Sequence, residues 1–259
     1  MSLVAPSIRP STAARLNPVA KLIAALLISL TLLASIDIVS AAVALLLEAA
    51  LLPFAGLAPR QFWLRTLPLW IAAPLAAVTT VLYGADSGAV LAQWGFVSVT
   101  EGSLALGVAI MLRVLAIGLP GIVLLATTDP TLLADGLAQV LRLPARFVLG
   151  ALAGLRLAGL AIEDWRSLTL ARRARGSEVR GPLRFAGQAF ALLVISVRRG
   201  SKLATAMEAR GFGSSQPRTW ARPSSFGVPE AALIATGALI CVCAVWAAVA
   251  AGTWSFILA

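Results

Sequence analysis

The chain has 259 residues, 59% of them hydrophobic and only 12% charged, with 21 Lys/Arg against 11 Asp/Glu and no histidine. Soluble domains carry about 45–50% apolar and about 25% charged residues, so no soluble interior accommodates this composition and the bilayer must be the solvent. Without histidine there is no His-based metal site, triad or proton relay.

The formal charge of +10 is not spread evenly. Residues Pro130 to Gly227 hold 15 basic and 5 acidic side chains, an excess equal to that of the whole chain. Basic residues concentrate where short loops face the cytoplasm, so this segment reads as a cytoplasmic insert rather than a nucleic-acid site. Cys241 and Cys243 sit two apart in an apolar run, pointing in different directions on a helix, and read as inert packing residues.

In chain order, Arg9, Arg15 and Lys21 precede an apolar stretch that mimics a signal peptide but reads as a first transmembrane helix. Five stretches are predicted to span, roughly 19–36, 38–57, 66–83, 102–127 and 229–258. The first two nearly touch around Asp37 and form a helical hairpin. Pro68, Pro74 and Pro120 fall within later spans, where neighbouring helices can satisfy the freed carbonyls.

The loops set the orientation. The tail is basic, the first turn carries only Asp37, the next loop carries Arg60 and Arg65, and the loop 84–101 carries Asp86 and Glu101. This alternation predicts an N-inside, C-outside protein. Two further apolar runs, 147–162 and 185–197, would export six arginines if both crossed, so they are expected to lie at the cytoplasmic face. Arg113, near the middle of a span, must face protein. It is expected to make an interhelix hydrogen bond or to touch a partner subunit.

Three helices are predicted in the insert. Thr128-Asp129-Pro130 is a start signal for the first, which carries Leu132, Leu133, Leu137, Val140 and Leu141. The second runs from about Pro144 to Arg175 and the third from about Leu183 to Arg210, with Gly181-Pro182 between them. Both long helices end in a small residue, an arginine and a glycine: Ala174-Arg175-Gly176 and Ala209-Arg210-Gly211. Glycine there can close the helix in the left-handed conformation, and arginine complements the negative end of the dipole. That accounts for one occurrence. Two, 35 residues apart, also suit a pair of exposed guanidinium forks for a partner with duplicated sockets.

Gly150 and Gly154 give a small-xxx-small spacing that would permit a close crossing. The adjacent Glu163 and Asp164 point two ways on a helix and read as a solvated face. There is no phosphate-binding glycine loop, since Gly200-Ser201-Lys202 lacks the upstream glycine.

These features together resemble the transmembrane T component of energy-coupling factor transporters, the vitamin and metal uptake systems of prokaryotes. The likeness rests on Leu16-Asn17-Pro18-Val19-Ala20-Lys21-Leu22, on Thr128-Asp129-Pro130 with Leu133 and Leu137, and on both triplets in context. Asn17 stands where that family commonly has Asp, which leaves the cap chemistry intact. The resemblance implies two coupling helices whose arginine tips, Arg175 and Arg210, each insert into one of two ABC-type ATPase subunits. A small substrate-binding membrane subunit, the S component, would receive the motion. The chain itself would bind neither ATP nor the vitamin, and would carry no cofactor.

The expected fold class is all-α, a polytopic membrane protein of about five transmembrane helices plus a cytoplasmic module of amphipathic coupling helices. The expected organisation is 1–127, 128–228 and 229–259. A self-contained secondary carrier is the alternative; it calls for repeated halves and a polar midplane site, neither of which is visible. A membrane enzyme acting on lipid or isoprenoid substrates would call for clustered acidic residues, which are not visible either.

Overall fold

The computed structural model describes residues 16–84, 87–94, 97–176, 182–214 and 219–254. Arg9, Arg15, Asp86, Arg180 and Gly181 lie outside them. The helices are α1 (Pro18–Leu33), α2 (Ile38–Leu51), α3 (Pro59–Tyr83), α4 (Glu101–Thr127), α5 (Pro130–Gln139), α6 (Ala145–Ala174), α7 (Pro182–Ala209) and α8 (Val228–Ala250). The chain divides into two compact units, one holding residues 5–136 and 224–259 and the other residues 137–223.

In the first unit the hairpin predicted around Asp37 is present. Asp37 caps α2, accepting from the Ser40 backbone N–H at 2.6 Å and from the hydroxyls of Ser35 and Ser40. Such a cap satisfies donors that α2 leaves open, which matters more in a bilayer than in water. α4 begins with a reciprocal cap between Thr100 and Ser103.

The core is built from small residues as much as large ones. Ile28 and Leu32 of α1 meet Ala44 of α2, Ala116 of α4, and Ile240 and Ala244 of α8. Gly237 of α8 lies against Ala24 of α1 so closely that a Cβ there would sit 3.1 Å from the alanine Cβ. α8 is correspondingly inside-out: Gly237, Ile240, Ala244 and Ala248 are buried, while Leu239, Val242, Trp246 and Val249 are exposed. Small residues let backbones approach where lipid supplies no hydrophobic drive. α3 exposes Leu64, Leu67, Ile71, Leu75 and Val78 in the same way.

Three details differ from the sequence reading. A short antiparallel hairpin, β1 (Val90–Trp94) with β2 (Val97–Thr100), occupies what was read as an open loop. Its β-branched Val90, Val97, Val99 and Thr100 favour the extended state, a signal too short to stand out. α1 and α2 have 16 and 14 residues, or about 24 and about 21 Å at 1.5 Å per residue, against a hydrocarbon core of about 30 Å, and α2 runs on into a 3-10 turn over Leu52–Ala55. Among the described residues the helices long and apolar enough to cross by themselves are α3, α4, α6 and α8, so α6, which was expected to lie at the cytoplasmic face, has the length and composition of a span.

In the second unit α6 and α7 run antiparallel. Arg199 of α7 grips Asp164 of α6 at 2.6 Å, and Gln188 donates to the Trp165 carbonyl and the Thr169 hydroxyl. Arg172 donates to the Gly187 carbonyl at 2.9 Å, and the rings of Trp165 and Phe185 lie 5.4 Å apart. Asp164 is therefore a brace and not part of a solvated face. Gly150 and Gly154 meet nothing among the described residues, so their spacing mediates no close crossing there. α5 starts as expected, with Asp129 accepting from the Thr131 N–H at 2.7 Å, but ends at Gln139, leaving Val140 and Leu141 beyond it.

Candidate functional site

The two arginine triplets share a closing bond from the glycine N–H to the carbonyl three residues back and a left-handed glycine. At the end of α6, the Gly176 N–H reaches back to the Arg173 carbonyl at 3.1 Å, and Gly176 is left-handed at φ 64°. At the end of α7, the Gly211 N–H bonds the Glu208 carbonyl at 2.9 Å and the Phe212 N–H bonds the Met207 carbonyl at 2.9 Å. Gly211 has φ 77°. The paired bonds of α7 make a Schellman motif, in which only glycine reaches the required backbone without strain.

This closure projects the residue before the glycine outward. Arg175 and Arg210 are both exposed, and neither guanidinium pairs with a described residue, as do Arg172 and Arg199. The bracing contacts match Arg172 with Gly187 and Asp164 with Arg199, which fixes the antiparallel sense. Arg175 therefore lies beside the start of α7, and Arg210 at its far end. α7 with its 28 residues is itself about 42 Å long at 1.5 Å per residue. Arg210 itself lines an apolar groove between α6 and α7, together with Leu149, Leu152, Leu203, Met207 and Arg156.

Arg113 sits in mid-α4 at 8% exposure, within electrostatic reach of Asp37. Its Nε and Nη2 atoms have no hydrogen-bond partner among the described residues. The expected interhelix hydrogen bond is therefore not made by those two donors.

Two polar positions carry contacts that sequence reasoning did not anticipate, and a third is buried without one. Lys21, read as an orienting basic flank, is buried and donates to the backbone and hydroxyl oxygens of Thr127 at 3.2 and 3.4 Å. Arg65 donates to the neighbouring Ala126 carbonyl at 3.0 Å. Two cations from α1 and α3 thus cap the carbonyl end of α4, where the dipole is negative. Glu48 of α2 is buried with neither carboxyl oxygen partnered among the described residues.

A profile of the CbiQ family, described as cobalt transport protein, matches residues 10–219, which takes in both triplets. The chain belongs to this family. It is accordingly a multi-pass membrane protein and the T component of an energy-coupling factor transporter, a transport component and not a member of an enzyme class. Among its relatives is the energy-coupling factor transporter transmembrane protein of Limosilactobacillus fermentum, 27% identical over 68% of this chain and 72% of the relative. The protein of the same description from Acidaminococcus fermentans is 28% identical over 67% and 69%. That of Bacillus subtilis is 32% identical over 51% of this chain and 55% of its own length. The family match stops short of α8, whose role in this chain rests on its packing against α1.

Proposed function

We propose that this T component works as a mechanical coupler, with Arg175 and Arg210 as its two anchors. Each exposed guanidinium would enter a socket on one of two ABC-type ATPase subunits. Closure of the ATPase pair on ATP would move the tips, and α6 and α7 would carry that motion to a small substrate-binding membrane subunit. The transported solute would be a vitamin or a metal ion. The insert would lie in the cytoplasm and the C-terminus outside.

One observation carries this reading. The guanidiniums of the two tips are exposed and pair with no described residue, whereas Arg172 and Arg199 of the same helices brace α6 against α7. A fork held on a rigid helix end loses little entropy on docking, and it matches carboxylates or helix C-termini in geometry. What sets Arg175 and Arg210 apart is their place, each directly before the left-handed glycine that ends its helix.

The double variant Arg175→Glu with Arg210→Glu tests the anchors. It should insert into membranes normally and fail to co-purify the ATPase subunits; full retention of them would refute the role. Orientation is checked separately, by a reporter after Arg180 that should register as cytoplasmic and one after Gly88 that should register as external.

A further inference from the structure

A cavity of about 280 Å³ opens among α1, α2, α4 and α8 in the membrane body. Its walls are mostly hydrocarbon, including Ile28, Val123, Leu233 and Ile240. Along α1 its lining runs from Lys21 to Ile28, about 10 Å at 1.5 Å per residue, so the slot follows the helix for about two turns. That shape suits a chain.

Two charged side chains line the same slot, and they differ in one respect. Lys21 already gives hydrogen bonds to both oxygens of Thr127. Glu48, at 6% exposure, has no donor for either carboxyl oxygen among the described residues. A buried polar group left without a partner is costly, and natural structures leave few. A donor, ideally cationic, attached to an apolar body would satisfy Glu48 and fill the rest of the slot.

We propose that this cavity binds an amphiphile bearing a primary ammonium, with Glu48 as its pairing carboxylate. The ammonium offers three N–H donors to the two oxygens, and the hydrocarbon tail lies along α1 between Val123 and Ile240. Lys21 lines the same cavity and offers a cation to a phosphate, so phosphatidylethanolamine of the surrounding bilayer, which joins an ammonium to a phosphate, is the fitting source. A free alkylammonium carries the same chemistry. The inference is independent of the coupling role, because it rests on the transmembrane helices alone.

The test reconstitutes the full chain in vesicles of phosphatidylethanolamine, phosphatidylglycerol and phosphatidylcholine in equal parts. Retained lipid is then read by native mass spectrometry. Wild-type protein should keep phosphatidylethanolamine about tenfold over phosphatidylcholine, whose quaternary nitrogen has no N–H, the scale of one charge-assisted hydrogen bond. Glu48→Gln should abolish that preference. Val123→Phe, which narrows the slot and leaves the carboxyl in place, should lower retention of all three lipids.

A rise in melting temperature with dodecylammonium in detergent, seen in wild type and not in Glu48→Gln, with no lipid preference, would assign the site to a free amine. Equal retention of the three lipids with no dodecylammonium effect would overturn the proposal and leave a basic side chain of a partner subunit as the occupant. An unchanged preference in Glu48→Gln would overturn it as well. If Glu48→Gln does not fold, undiminished binding in Val123→Phe has the same force.

Discussion

The backbone N–H of Asn17 donates to the Glu230 carboxylate at 3.2 Å across 213 residues of sequence. The Asn17 side chain meanwhile accepts from the Val19 N–H and donates to the Ser224 hydroxyl and the Ser225 carbonyl, both at 2.8 Å. Glu230 uses its other oxygen to accept from the Gly227 N–H at 2.9 Å. One residue thus starts α1 and also fixes the entry to α8. Gly136 packs on it closely enough that a Cβ would come within 3.0 Å of the Asn17 Oδ1.

Asn17→Ala removes the cap and two long-range donors at once. Loss of the cap alone should cost about 1–2 kcal/mol. Thermal unfolding in detergent should show Asn17→Ala clearly less stable than wild type, with Asn17→Asp between them, because Asp keeps the acceptor for Val19 and loses both donors. Equal stability of Asn17→Ala and wild type would contradict the latch.

Lys21 and Arg65 cap adjacent carbonyls of α4, but Lys21 is buried and Arg65 is exposed. Lys21→Met leaves a buried carbonyl without its donor, a loss of about 1–3 kcal/mol, whereas water can replace an exposed Arg65. Denaturant titration should rank Lys21→Met well below Arg65→Met. The double variant should deviate from additivity, because the two side chains serve one helix end.

Gly211 is held at φ 77°. An alanine there costs about 1–2 kcal/mol of left-handed strain, which the end of α7 can relieve by unwinding. Gly211→Ala should therefore weaken ATPase recruitment with the Arg210 side chain still present. Full recruitment, measured by co-purification, would mean that tip geometry is immaterial.

The Asp164–Arg199 pair is partly exposed, with side chains 23% and 38% accessible, so its contribution to global stability should be small, about 0.2–1 kcal/mol. Its effect should appear in geometry instead. Spin labels placed at Ala174 and Ala209, in a background lacking Cys241 and Cys243, should show a broader separation in Asp164→Arg. The swapped pair Asp164→Arg with Arg199→Asp should narrow it again. An unchanged distribution across all three proteins would show that the brace does not set the spacing of the tips.

Local chemistry made much of this molecule legible in advance. Prolines and glycines mark helix ends through backbone sterics alone, so the limits of α6 and α7 agree with expectation to within a residue, and both tip glycines take the left-handed backbone anticipated for them. Charge segregation identifies the basic insert for the same reason, since desolvation penalises every misplaced arginine independently. The β hairpin was not legible, because four β-branched residues in so short a stretch compete with turn signals of equal strength.

The amino-acid order alone determined the membrane character, the family, the positions of the long helices and their arginine-glycine ends. All of these follow from interactions within a few residues or from bulk hydrophobicity. Only the tertiary structure decided which polar groups meet which: Lys21 on the Thr127 carbonyl, Arg199 on Asp164, Asn17 on Glu230, and Glu48 with no partner among the described residues. Those outcomes join residues far apart in the chain, and they turn on distances of a few tenths of an ångström that no periodicity encodes. A carboxylate in an apolar run reads the same whether its neighbour across the bundle is a donor or a void.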